Sequence, residues 1–125
     1  MSKQKILVVE DEVSLLKLET ILLSTRGYQV FSAKNGRDAL ECIEKEIPDL
    51  VLLDVMLPEV DGFEVCRQIK SNPLTSHIFV ILLTAKKGQE DVAMGKAVKA
   101  DCYMTKPFQS ALVIGTIQRL LMDSF

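Results

Sequence analysis

The sequence predicts an α/β domain with a doubly wound parallel sheet, and three observations carry that reading. Five apolar runs recur along the chain: KILVV at 5–9, YQVFSA at 28–33, LVLLD at 50–54, IFVILLT at 78–84 and CYM at 102–104. The first, third and fourth are almost unbroken Val, Ile and Leu, as strands covered on both faces are. The stretches between them carry apolar residues at helical spacing. Such alternation calls for right-handed crossovers, a parallel sheet and helices on both of its sides.

Each helix has its own signals. After the first strand, Leu15, Leu18 and Leu22 mark one apolar face and Gly27 a stop. After the second, Ala39, Leu40, Ile43 and Ile47 share a face, Asn35 is placed to cap the helix and Pro48 follows it. After the third, Phe63, Cys66 and Ile69 line up before the stop Asn72-Pro73. The fourth helix, about 88–98, is the weakest: Val92, Met94, Ala97 and Val98 carry it, with Gly95 inside. The fifth, about 110–122, shows Val113, Ile114, Ile117, Leu120 and Leu121, interrupted by Gly115.

Bulk properties exclude several classes. The 125 residues suit one domain, expected over 1–125 with no output domain attached. With 48% hydrophobic and 26% charged residues the chain suits a folded globule rather than disorder. A net charge of -2 gives no basic surface for nucleic acid. No apolar run approaches the roughly 20 residues of a membrane span, and the N-terminus is not built like a signal peptide. Cys42, Cys66 and Cys102 are odd in number and widely spaced, which favours free thiols in a cytoplasmic protein.

In a doubly wound sheet, function gathers at the carboxyl ends of the strands. The first strand runs into Glu10, Asp11 and Glu12, and the third ends in Asp54. The fourth ends in Thr84-Ala85, and the fifth is followed by Thr105-Lys106-Pro107. The fold thus brings acids, one hydroxyl and one ammonium to a single edge. Two carboxylates about 4 Å apart repel by roughly 4 kcal/mol at an effective dielectric near 20. Lys106 offsets one charge of several. A hard divalent cation with oxygen ligands, Mg²⁺ (Mn²⁺ could substitute), is the natural complement, and the lack of His and Cys there argues against zinc. Asp54, ionised at neutral pH without help from a base, is then a ligand, a general base or a nucleophile.

LVVEDE, LLDVMLPEVDG, ILLTA and YMTKPF, in that order and spacing, resemble the receiver domain of two-component response regulators across essentially the whole chain. The resemblance implies a flavodoxin-like fold with strand order 2-1-3-4-5. It implies that Asp54 accepts a phosphoryl group from a phosphohistidine on a histidine kinase or phosphotransfer protein. Asp11, Asp54 and the Met56 backbone carbonyl would bind Mg²⁺, with Glu10 acting through a water. Lys106 would pair with the carboxylate and then the phosphoryl oxygens, Thr84 would bond the phosphoryl group, and Tyr103 would swing inward as Thr84 moves. The Lys106-Pro107 peptide would be cis, and Pro58 and Gly62 would shape the loop after the third strand. Ala85 leaves the site open, and Met56 and Lys86 flank it where such domains tune dephosphorylation.

The implied function is a phosphorylation-activated switch that acts on a downstream protein or linked output, not a turnover enzyme. Two alternatives compete with this reading. An aspartate-nucleophile phosphatase wants a second acid two residues after Asp54, where Met56 stands. A degenerate receiver, binding partners without phosphorylation, would not need the full acid, Thr and Lys set. The chain departs from the family pattern in VKADCY, where Lys99 replaces a common Gly and is expected at positive φ. Its last helix lacks the charged pairs of one subfamily's dimer face. His77 is a lone histidine beside a strand start and is not expected to be catalytic, and the Lys86-Lys87 pair reads as a solvated loop.

Overall fold

A computed structural model describes residues 3–122; the expected domain limits, 1 and 125, lie outside that range. The order is β1 (Lys5–Val9), α1 (Val13–Ser24), β2 (Gln29–Ala33), α2 (Gly36–Glu46), β3 (Leu50–Leu53), α3 (Gly62–Ser71), β4 (Phe79–Thr84), α4 (Gln89–Ala97), β5 (Cys102–Thr105) and α5 (Ser110–Met122). The five strands form one parallel sheet in the order β2-β1-β3-β4-β5. Both the fold class and the strand order match the expectation.

Strand alternation sends side chains to two cores. Leu7, Val9, Val51, Leu53, Val80 and Leu82 pack under α2 and α3, against Ala39, Ile43, Val65, Cys66 and Ile69. Ile6, Val8, Leu50, Leu52, Ile81 and Leu83 face the other way, onto Leu16, Leu23, Val113, Ile117 and Leu121 of α1 and α5. Each fully buried Leu, Ile or Val contributes on the order of 2 kcal/mol. Burial on both faces explains why β1, β3 and β4 have no polar alternation.

The capping signals agree with the structure, while the expected apolar faces need three corrections. Asn35 caps α2, its Oδ1 accepting from the Asp38 N–H at 2.8 Å, and Gly27 adopts φ +92° after α1. On α4, Met94 and Ala97 are exposed and the buried positions are Gly95 and the capping residue Val98. On α1 the expected face of Leu15, Leu18 and Leu22 is rotated. The residues buried are Leu16, Glu19 and Leu23, while Leu18 is 49% exposed. The helix is leucine-rich on more than one side, so spacing alone does not choose between faces. Ile47 does not continue the α2 face either. It leaves the helix at φ 44°, a left-handed position that is uncommon for a β-branched side chain.

Gly115 sits in α5 with its Cα facing solvent, and a Cβ there would meet nothing within 4 Å. Gly115→Ala is expected to stabilise the domain by about 1 kcal/mol, a rise of about 4 °C in melting temperature. Calorimetry that showed no rise would mean the glycine has a use the packing does not reveal.

Candidate functional site

The sheet itself carries the key side chains to one edge. Beyond β1, the Glu10 N–H donates to the Ala33 carbonyl at 3.0 Å; beyond β3, the Asp54 N–H donates to the Val9 carbonyl at 3.0 Å. Beyond β5, the Lys106 N–H donates to the Thr84 carbonyl at 2.8 Å. Glu10, Asp54 and Lys106 are therefore held by continuations of the ladder, not by free loops. The peptide between Lys106 and Pro107 is cis, as the resemblance implies.

Lys106 Nζ donates to Glu10 Oε1 at 2.6 Å and to Asp54 Oδ2 at 3.0 Å. Asp54 is 6% exposed and Glu10 2%. The second Asp54 oxygen, Oδ1, accepts from the Met56 N–H at 3.0 Å, and Glu10 Oε2 accepts from the Glu12 N–H at 3.2 Å. Burial pushes the Glu10 carboxyl above its ordinary value; the nearby Asp54 charge adds to this, against the lowering effect of its bonds to Lys106 and the Glu12 amide. Burial would depress Lys106, but its bonds and charge contacts to both acids outweigh that and raise it. The ammonium is thus held charged between two carboxyls.

The three consecutive acids divide their labour. Glu10 points inward to Lys106. Asp11 is exposed at the rim. Glu12 caps α1, its carboxylate accepting from the Ser14 and Leu15 N–H groups at 3.1 and 2.9 Å. One oxygen each from Glu10, Asp11 and Asp54 falls within a cluster 4.8 Å across. Three hard oxygen donors at this spacing fit a divalent cation. The helix-side wall is close: a Cβ on Gly62 would lie 2.2 Å from the Asp54 carbonyl oxygen, so only glycine lets α3 start there.

Thr84 and Tyr103 meet through one backbone. Thr84 is buried at the end of β4, and its Oγ1 accepts from the Lys86 N–H at 3.2 Å. The Lys86 carbonyl accepts from the Tyr103 hydroxyl at 2.6 Å. Tyr103 is half-buried, packed against the α2/α3 core. Met56 is 57% exposed beside the acids. Ala85, Lys86, Lys87 and His77 are exposed, and Lys99 takes the expected positive φ of 66°. Cys42, Cys66 and Cys102 are free thiols.

A cluster of carboxylates at the carboxyl edge of a doubly wound sheet, with one lysine bridging two of them, defines a flavodoxin-like domain with an acidic site. The chain belongs to a narrower group, the response regulator receiver domain family of two-component systems, whose model matches residues 6–118. It is 44% identical over 97% of its length to the alkaline phosphatase synthesis transcriptional regulatory protein PhoP of Bacillus subtilis. It is 38% identical over 93% of its length to the response regulator PleD of Caulobacter vibrioides. It spans 50% of the first relative and 26% of the second. Among solved structures, the Vibrio cholerae chemotaxis protein CheY4 is similar with a TM-score of 0.88 at 30% identity, over 95% of this chain and 99% of that one. A receiver domain protein of Methanospirillum hungatei gives 0.92 at 27% identity, over 98% and 96%. No helix among the described residues is long and apolar enough to cross a membrane.

One buried acid was not foreseen. Glu19, on the core face of α1, is 4% exposed, and its Oε1 has no hydrogen-bond partner. It borders a cavity of about 10 Å³ with Leu22, Leu52, Phe108 and Ile114. Burial, with added repulsion from Glu10 and Asp54 against attraction from Lys106, pushes its carboxyl from about 4.5 up to about 8. A carboxyl raised in the folded state binds its proton more tightly there than in the unfolded chain. Stability therefore falls as pH rises from about 4.5 towards about 8, by about 1.4 kcal/mol per unit of difference at most. Glu19→Leu is expected to flatten this slope and to stabilise the domain by on the order of 3 kcal/mol at pH 8. Urea denaturation at pH 5.5 and 8 checks it; an unchanged slope would show that Glu19 is not buried as a neutral acid.

Proposed function

We propose that this chain is a phosphorylation-activated signalling switch in which Asp54 is the phosphoacceptor. The observation that carries the reading is the Lys106 ammonium lying between two buried carboxyls at the mouth of the sheet. An Asp54 oxygen attacks phosphorus of a phosphohistidine on a kinase or phosphotransfer protein. The P–N bond breaks, and the imidazole leaves as it takes up a proton, giving an aspartyl phosphate and histidine. Lys106 then turns its charge to the new phosphoryl oxygens, and the Thr84 hydroxyl turns towards them from the end of β4.

Asp11 and Asp54, with the Met56 carbonyl and Glu10 through a water, would hold Mg²⁺ (or Mn²⁺), which supplies positive charge to the phosphoryl oxygens when bound. The acid cluster and its all-oxygen donor set support this. Loss of the Thr84 hydroxyl's present bond to Lys86 changes the surface around α4, and that change alters binding to a downstream protein or a linked output domain. We place this activity in the cytoplasm, without nucleic-acid contact by the domain itself.

A turnover phosphatase is disfavoured because the residue two positions after Asp54 is Met56, whose side chain has no proton to give a leaving group. A phosphorylation-independent scaffold is disfavoured because a binding module has no need of three clustered acids with one lysine bridging two of them.

Incubation with acetyl phosphate and Mg²⁺ is expected to add one phosphoryl group to the intact mass, and Asp54→Asn to add none. Equal labelling of that variant would move the acceptor elsewhere. Mg²⁺ alone is expected to raise the melting temperature by mass action, about 1.4 kcal/mol for each tenfold excess over Kd, and Asp11→Ala to abolish the rise. A metal-independent melt would refute the cation site.

A further inference from the structure

We infer that Gly95 is the seat of the switch tyrosine: the missing side chain in α4 is what fixes where the Tyr103 ring rests and ties the position of α4 to it. The inference rests on the proposed switch and names a control element within it. Gly95 is the one residue of α4 that is buried. A Cβ there would lie 2.8 Å from Tyr103 Cδ2, 3.3 Å from Cε2 and 3.5 Å from Leu82 Cδ1. The first distance is one that real Cβ atoms do not reach, so the ring occupies space that any other residue would claim.

The rest of α4 offers little competing anchorage. Its N-cap, Gly88, makes no side-chain bond, and Met94 is 47% exposed. Besides the capping residue Val98, which is buried in the core, the Tyr103 ring is the contact at the one buried position within α4. Its hydroxyl is meanwhile bonded to the Lys86 carbonyl, and the Lys86 N–H to Thr84 Oγ1. The Lys86 side chain lies 3.9 Å from Asp91 in the first turn of α4. Thr84, Lys86, Tyr103 and Gly95 thus form a continuous path from the strand end to the helix. When Thr84 turns to a phosphoryl group, its bond to Lys86 is given up. The Lys86 backbone, no longer held by Thr84, moves with its carbonyl and the Tyr103 hydroxyl bonded to it, the ring slides on the Gly95 surface, and α4 follows. A glycine permits that slide without a side-chain barrier.

The test labels the protein with 3-fluorotyrosine. Tyr28 and Tyr103 are its two tyrosines, and Tyr103→Phe assigns the signals. Gly95→Ala is expected to displace the resting Tyr103 resonance and to bring no gain in melting temperature, although alanine favours helix. Gly115→Ala, open to solvent, is the control: a melting gain with Tyr103 unmoved. A Gly95→Ala protein with the wild-type Tyr103 resonance and a melting gain like that of the control would overturn the inference.

A double-mutant cycle decides the matter should Gly95→Ala fold poorly. In a Tyr103→Leu background the alanine is expected to cost about tenfold less in the folding equilibrium than in the wild type. Equal cost in both backgrounds would mean that the ring is not what the glycine seats. The switch itself is read separately, on wild-type protein, by phosphoryl uptake and by movement of the Tyr103 resonance with Mg²⁺ and the phosphoryl mimic beryllofluoride. If those fail, the function is wrong while the seat is still judged on resting spectra.

Discussion

Everything at the carboxyl edge of this sheet depends on one cation bridging two anions. Glu10 and Asp54 are almost fully buried, and Lys106 Nζ touches both. At about 3 Å and an effective dielectric of 20, each contact is worth on the order of 5 kcal/mol before desolvation is subtracted. Removing one partner from such a group leaves a buried charge alone, which costs several kcal/mol. The geometry is accordingly built from the most rigid material available. The backbone N–H groups of Glu10, Asp54 and Lys106 all extend strand ladders, and the two cores clamp β1, β3 and β4 from both sides. The rigidity of the fold and the electrostatics of the site are one constraint seen twice: only a fixed backbone keeps three groups this close.

The same edge has a second, softer half. β1, β3 and the Lys106 strand end hold charge in place. By contrast, Thr84, Lys86 and Tyr103 are joined by two hydrogen bonds through an exposed backbone, next to a helix with one buried residue. Regions with few buried contacts open at low free-energy cost and are where conformational response is found. Placing Thr84 at the boundary gives it two allegiances. Its main chain belongs to the ladder, while its hydroxyl belongs to the loop. In the proposed function, a new anion on Asp54 would compete for that hydroxyl alone and leave the sheet intact.

Much of this was legible in the residues, for identifiable reasons. Strands buried on both faces write continuous apolar runs, so β1, β3 and β4 could be read directly. The topology rule for doubly wound sheets turned four distant strand ends into one site without a coordinate. Asn35 and Gly27 follow local capping rules that tertiary structure did not override. The helical faces were less legible. In α1 the run VSLLKLETILLS is apolar on more than one side, so the period is present but its phase is set by what the helix packs on. Glu19 was invisible for the same reason: an acid among leucines reads as the solvent side until the phase is known. The strand order came from resemblance, since periodicity does not encode it. Gly95 read as a defect in a weak helix because the ring that needs it arrives from β5.

Glu19 and Gly95 show why departures from local preference are informative. An unpartnered carboxyl in the α1 core and a glycine in the middle of α4 each cost stability by local rules. Yet they differ in what surrounds them. The Gly95 position is filled by Tyr103, so the local loss is offset by a contact that links two elements. Glu19 borders empty space, and its Oε1 meets no donor; its penalty has no visible return in packing. Its charge interactions run to Glu10, Asp54 and Lys106, so what α1 buries there is felt at the acid cluster across the sheet edge. The leucine-rich helix therefore meets the site only through charge at a distance, whereas α4 meets it through the packing of Gly95 on Tyr103.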